Sequence, residues 1–201
     1  MKHHRKRDKP TLNATEAYSR LMDELSRHGP LRLLDENGHV DLINEQTRLC
    51  CTRDPFLDVI NVMLESRLVE MVNVDNESNF YWLTDKGQLT ALLMNHRRRV
   101  HDICHCKNCA EAFEEVLGHF IQKGELQLIL KDSGHPHLVA EAVDLCCDKK
   151  PLLYVLCQLE SYHFVEMSPD LTFRLTKTGV KAARLMLVPD SIKQSFRASL
   201  N

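Results

Sequence analysis

The chain has 201 residues, a formal net charge of -2, 27% charged residues and 43% hydrophobic residues. This length accommodates two small domains with a core each, and the balanced composition is typical of a globular protein. The net charge excludes a global attraction to nucleic acid. No apolar run is long enough to span a membrane, and no apolar segment of the signal-peptide type follows the basic N-terminus.

The first half of the chain begins with a basic arm, residues 1–12, predicted either to be solvated or to touch phosphates. A helix is predicted from near Asn13, because apolar residues recur at helical spacing from Tyr18 to Leu25. The remaining elements predicted for this half are a strand over 31–34, a second helix over 42–50, a third helix opened by Pro55, strands over 69–74 and 80–84, and a closing helix over 85–99.

Short motifs of the first half recur in the same order in the second half. The first copy reads Leu49-Cys50-Cys51, Pro55, Leu64-Glu65-Ser66, Val69-Glu70-Met71, Leu83-Thr84 and Gly87. The second copy reads Leu145-Cys146-Cys147, Pro151, Leu159-Glu160-Ser161, Val165-Glu166-Met167, Leu175-Thr176 and Gly179. Several motifs in one order indicate an internal duplication, so the second half is predicted to repeat the elements of the first, with its own second helix over 138–146.

The predicted order of helix, short strand, two helices and hairpin is that of a winged helix-turn-helix. The runs Tyr81-Trp82-Leu83-Thr84-Asp85-Lys86-Gly87 and Phe173-Arg174-Leu175-Thr176-Lys177-Thr178-Gly179 resemble the second wing strand and following turn of many bacterial winged-helix proteins. The resemblance implies a mainly α fold with small β-hairpins, built as two duplicated winged-helix domains in tandem. The predicted parts are an arm at 1–12, domains at 13–99 and 111–190, a linker at 100–110 and a tail at 191–201.

The linker concentrates metal-ligating residue types. His101, Cys104, Cys106 and Cys109 can supply four ligands to a tetrahedral zinc ion, although Cys-x-Cys-x-x-Cys is not the usual pair of separated Cys-x-x-Cys motifs. An iron–sulfur cluster and plain reduced thiols are the other two interpretations. Of each doublet, Cys50-Cys51 and Cys146-Cys147, one thiol is expected to face the core. The grouped cysteines and the missing secretion signal predict a reduced, cytoplasmic protein.

Duplex DNA is the first predicted partner, with contacts at or before the two third helices. The first of these helices is predicted to present Asn61 beside the acidic Asp58 and Glu65, so the second is the better candidate. The candidate nucleic-acid-binding residues are Arg53, Asn61, Arg97, Arg98, Arg99, Lys149, Lys150, Tyr154 and Gln158.

No set of nucleophile and base, and no glycine-rich phosphate loop, stands out in the sequence, so no enzymatic activity is predicted. The first functional hypothesis is a DNA-binding, transcription-regulator-like protein of bacterial or phage type. The alternative is a module that binds protein, as a subunit of a chromosome-organising or polymerase-associated assembly. A homodimer is one hypothesis for the oligomeric state.

Overall fold

The computed structural model describes residues 12–74, 78–98, 107–149 and 151–186. Backbone contacts divide the chain into two compact units, Met1–Ala91 and Leu92–Asn201. The sequence motifs placed the end of the first domain at residue 99 instead. Within the described ranges, no helix combines the length and the apolar character that crossing a membrane requires.

The elements of the first half alternate helices with groups of strands. They are α1 (Ala14–His28), β1 (Leu31–Glu36), β2 (His39–Ile43), β3 (Arg48–Cys50), α2 (Phe56–Glu65), β4 (Val69–Val74), β5 (Ser78–Leu83) and α3 (Asp85–Arg97). The second half has the same order: α4 (Lys107–Lys123), β6 (Glu125–Leu130), β7 (Pro136–Ala140), β8 (Val143–Cys146), α5 (Leu152–Ser161), β9 (Val165–Met167), β10 (Thr172–Leu175) and α6 (Lys177–Met186).

Each unit contains one antiparallel five-stranded sheet. The strand order is β3-β2-β1-β5-β4 in the first unit and β8-β7-β6-β10-β9 in the second, which is the same order in corresponding strands. In the first unit, α1 and α2 pack on each other and against one face of the sheet. The sheet side chains on that face are buried, and they are Leu31, Leu42, Leu49, Val69 and Tyr81.

The prediction of a mainly α fold with small hairpins is wrong. The segments 42–50 and 138–146, predicted as second helices, form antiparallel strand pairs instead. Leu42 lies opposite Leu49, and Leu138 lies opposite Leu145. A spacing of seven residues therefore fits both two turns of a helix and two facing positions of a hairpin.

Local turn chemistry selects the hairpin over the helix. Asn44 Oδ1 accepts hydrogen bonds from the backbone N–H groups of Gln46 and Thr47, both at 2.9 Å, which closes the turn between β2 and β3. In the second unit the corresponding turn is tighter, and Ala142 adopts a left-handed φ of 58°. A helix-turn-helix requires a helix directly before α2 and α5, but strands β2–β3 and β7–β8 occupy those places, so the tandem winged-helix architecture is also wrong.

The Leu-Thr-x-x-Gly motif closes each unit by a cap that depends on its glycine. Thr84 Oγ1 donates to the carbonyl oxygens of Arg67 and Leu68 at 2.7 and 3.2 Å and accepts from the Gly87 N–H at 3.1 Å. A Cβ at residue 87 would lie 2.0 Å from the Leu68 carbonyl oxygen. The motif therefore fixes the start of α3 against the end of α2.

The second unit repeats this cap in detail. Thr176 Oγ1 donates to the carbonyl oxygens of His163 and Phe164 at 2.7 and 3.3 Å and accepts from the Gly179 N–H at 3.0 Å. A Cβ at residue 179 would lie 1.8 Å from the Phe164 carbonyl oxygen. The motif that suggested a wing is thus a conserved feature of the duplication that joins a helix to a hairpin.

Gly87→Ala and Gly179→Ala should each lower the free energy of unfolding by about 1–3 kcal/mol, because the added methyl group overlaps a backbone carbonyl. Gly118→Ala is the matched control, since nothing lies within 4 Å of its Cβ position within α4, and it should stabilise by roughly 0.5–1 kcal/mol. Urea denaturation followed by circular dichroism measures all three. Equal effects at the three positions would contradict this account of the cap.

Candidate interaction surface

The outward side of α2 is acidic and apolar in the structure. Asp58, Asn61 and Glu65 are exposed, and Val62 retains 59% of its accessible surface. Asn61 is thus accessible as predicted, but two carboxylates flank it on the same helix face. These charges oppose an approach to the phosphate backbone of DNA.

Arg53, predicted to meet a phosphate, is engaged with a carboxylate. Its guanidinium donates to Asp54 Oδ2 at 3.0 Å, and the buried Asp54 accepts the Leu12 N–H at 3.1 Å. The Arg53 hydrogen bond, followed by that of Leu12, lowers the pKa of Asp54. Asp54 thus holds the start of the described chain beside the N-terminus of α2.

The second predicted docking helix, α5, is buried on nearly all sides. Gln158 is 8% exposed and donates to the Tyr154 hydroxyl at 2.9 Å, so the two predicted base-reading side chains satisfy each other. Cys157 is also buried and donates to the Leu93 carbonyl oxygen at 3.8 Å. In this conformation α5 has no free face for a DNA groove.

The remaining candidate cations lie in different environments. Arg97 forms a two-pronged ion pair with Glu160, with distances of 2.8 and 2.7 Å from Nε and Nη2 to the carboxylate oxygens. This ion pair occupies the guanidinium N–H groups that would otherwise bind a phosphate. Arg98 and Lys149 are exposed. Arg99 and Lys150 lie outside the described residues.

The predicted metal ligands fall largely outside the described ranges. Cys109 is buried in α4, whereas His101, Cys104 and Cys106 are not described. Among the residues that are described, no group of three His, Cys, Asp or Glu side chains is arranged to hold a metal ion. The zinc and iron–sulfur hypotheses therefore stay predictions.

The thiols of Cys51, Cys147 and Cys157 are structural rather than reactive. Burial raises the pKa of Cys51, Cys147 and Cys157 to about 12, so these thiols are protonated at neutral pH. The Cys51 N–H donates to the Val40 carbonyl and the Cys147 N–H to that of Pro136, both at 2.9 Å. The second cysteine of each doublet thus anchors its segment beside the neighbouring strand, a role that the sequence only partly indicated.

The sheet of the first unit has an open face opposite the helices, and this face is apolar and aromatic. The strand register aligns one row of side chains across all five strands: Arg48, Ile43, Arg32, Phe80 and Val72. Trp82 lies on the same face two residues after Phe80. We define the open face by Arg32, Ile43, Val72, Phe80 and Trp82.

The open face exposes both apolar side chains and charge. Trp82 is 44% exposed and Val72 42%, and Arg32 forms no ion pair with any residue of the described ranges. A groove of about 630 Å³ adjoins Arg32, Ile43 and Phe80 and is bordered by His28, Glu45 and Gln46. The open face thus combines large apolar side chains, the cation of Arg32, the exposed carboxylate of Glu70 opposite Trp82, and a concave region.

The same face of the second unit is polar. Thr172 and Arg174 stand where the first unit has Phe80 and Trp82. Arg174 donates to Glu125 at 2.7 Å, and Asp144 pairs with His137 on the adjacent strand and with Lys131, which follows β6. Since both sheets have one topology, folding does not require exposed aromatic side chains at these positions.

Sequence reasoning missed the open face. Its signal was the run Phe80-Tyr81-Trp82, in which apolar side chains occupy both faces of one strand. A strand with one solvated face normally alternates apolar and polar residues. An unbroken aromatic run in an antiparallel strand therefore indicates either a second buried face or a binding surface.

Comparison of the chain with protein-family models, with curated proteins and with solved structures finds no match.

The zinc hypothesis predicts about one metal ion per purified chain, because four ligands complete one structural site. Elemental analysis should find it, and Cys104→Ala should remove it, while Cys50→Ala, outside the linker, should not. A coloured preparation would favour the iron–sulfur interpretation. Metal-free protein whose stability is indifferent to a chelator would exclude both.

The lowered pKa of Asp54 predicts an acid-sensitive contribution to stability. This contribution is present above the unfolded-state pKa of about 3.9 and is lost as the pH falls through the lower folded-state value. Asp54→Asn should therefore lower stability at pH 7 and flatten its decline in acid, as measured by urea denaturation at several pH values. Asp132→Asn, at an exposed turn position, is the control and should leave the pH profile unchanged.

Proposed function

We propose that the protein is a non-catalytic protein-binding module whose first unit binds its partner on the open face. The observation that supports this function is the exposed pair Trp82 and Val72 beside the partly buried Phe80 and Arg32, on a sheet whose duplicate is polar at the positions of Phe80 and Trp82. Exposed apolar clusters of this kind are typical of interaction sites.

The chemistry of the open face indicates what the partner offers. Trp and Arg are the side chains that most often dominate the energy of protein interfaces. Phe80 and Trp82 supply flat apolar area, and Arg32 is positioned for a carboxylate at the margin of the groove. We therefore infer that the partner segment carries an apolar anchor and an adjacent acidic residue.

Duplex DNA is the second candidate, favoured by the exposed Lys149 and by the basic sequence of residues 2–9. Because α5 is buried, contacts would be made to phosphates from Lys149 and Lys150 rather than to base edges from Tyr154 and Gln158. We also place the protein in the cytoplasm, since a reducing compartment keeps its thiols free.

A displayed library of random peptides tests the protein-binding function. Selection on the wild-type chain should enrich peptides with an acidic residue beside Leu, Ile or Phe, and their binding should shift the emission of Trp82, the single tryptophan of the chain, to the blue. Trp82→Asp and Arg32→Glu should each weaken binding by at least about tenfold, since each removes an anchor.

Tyr162→Asp is the matched control, because Tyr162 is an aromatic of the second unit that is 51% exposed. Peptides that bind all these variants equally well would contradict the proposed surface. Titration with duplex DNA at two salt concentrations tests the second candidate: salt-dependent binding that Lys149→Glu with Lys150→Glu abolishes would favour DNA as the partner.

A further inference from the structure

The edge strand β4 has outward-facing backbone N–H and C=O groups that can bond to an added strand. Thr84 N–H donates to the Leu68 carbonyl, so residue 68 bonds toward β5. Bonding alternates along an antiparallel pair, and therefore residues 70, 72 and 74 also bond toward β5. The N–H and C=O groups of Val69, Met71 and Asn73 consequently point away from the sheet.

β4 differs from the other sheet edges in length and in protection. It has six residues, whereas β3, β8 and β9 have three, four and three. The β9 edge is followed by Ser168, whose hydroxyl donates to Asp170 and to the Thr172 carbonyl, and its Met167 sulfur accepts from Arg97. Short or obstructed strands are poor templates for added strands.

We propose that β4 pairs antiparallel with β4 of a second copy of this chain, forming a symmetric dimer. The inference goes beyond the proposed function, because it rests on the outward backbone groups of the β4 edge. Of the side chains that define the open face, only Val72 lies on this strand. A two-fold axis at Met71 sets Met71 against Met71 and Val69 against Asn73 of the other copy. All six outward N–H groups of the two strands then meet carbonyl acceptors.

The side chains of β4 fit the same register. A two-fold axis perpendicular to the sheet keeps residues of one face together, as antiparallel pairing requires. The Met71 side chain is 51% exposed, and in this register it packs on its own copy. Glu70, the single charged residue of the strand, faces Val72 of the other copy.

The geometry also explains why a second copy is favoured over an open array. Each chain offers one long free edge within its described part, so two copies use both edges and leave none. The two Glu70 carboxylates lie on a diagonal of about 7–8 Å. They form a like-charge pair that weakens the dimer without preventing it, and this repulsion provides a specific test.

Mass measurement by light scattering over a range of concentrations should show a species of twice the 23.2 kDa chain. Met71→Pro should reduce dimerisation by at least about tenfold, because it removes an N–H that bonds across the dimer and not to β5. Met71→Thr keeps that N–H and is the matched control. Circular dichroism and Trp82 emission verify that each variant is folded.

Reversing the charge of Glu70 tests the dimer without disrupting the backbone of β4. Isotope-labelled wild type is mixed in equal amounts with unlabelled Glu70→Lys, and native mass spectrometry measures the heterodimer. The heterodimer should exceed the half of all dimers that random pairing would give. Glu70→Gln should tighten self-association. If Met71→Pro fails to fold, the mixing experiment decides.

A chain that stays monomeric, or a dimer indifferent to Met71→Pro and to charge exchange, overturns the pairing. The proposed function fails separately, when Trp82→Asp and Arg32→Glu leave peptide binding unchanged. A monomer that still binds peptides through the open face would thus remove the dimer alone.

Discussion

One backbone carbonyl in each unit fixes how the closing helix meets the sheet. The Leu68 carbonyl oxygen accepts from the N–H and hydroxyl of Thr84 and touches Gly87, where a side chain would collide with it. Arg67 must adopt a left-handed φ of 57° to present this carbonyl, a conformation that costs a non-glycine residue about 1–2 kcal/mol. The cap bonds offset that cost. Because Thr84 follows β5 directly, the same contact orients the strand that carries Phe80 and Trp82.

The sequence revealed this cap as a repeated motif but led to the wrong architecture around it. Thr and Gly three residues apart act through local bonds, so their spacing is visible along the chain. Leu42 and Leu49 act across a hairpin, and their separation of seven residues is also a helical spacing. What separates the two cases is the side-chain turn at Asn44 and the backbone of Ala142. Both features are weak in the sequence compared with the hydrophobic pattern. The choice between a helix and two strands therefore depends on a weak turn preference.

The candidate site was harder to predict for a different reason. The sequence offers Arg97 as a candidate phosphate contact, but its ion-pair partner Glu160 lies 63 residues away. Such a pairing removes the guanidinium from the set of phosphate ligands, and nothing local indicates it. The exposure of Phe80 and Trp82 likewise depends on which face of the sheet α1 and α2 cover. Alternation predicts the strand, whereas the side of the sheet follows only from the packing of distant elements.

Duplication provides an internal comparison that separates the demands of folding from those of binding. Both units satisfy the same topology, cap and core, yet one sheet presents Thr172 and Arg174 where the other presents Phe80 and Trp82. An exposed tryptophan raises the tendency to aggregate. The corresponding edge strands of the two sheets also differ. β9 is short and is followed by Ser168-Pro169, whereas β4 is long and exposed. The exposed tryptophan and the long edge strand both occur in the first unit, on the adjacent strands β5 and β4. The proposed contacts with other chains therefore all involve the first unit, whereas the same face of the second unit carries ion pairs.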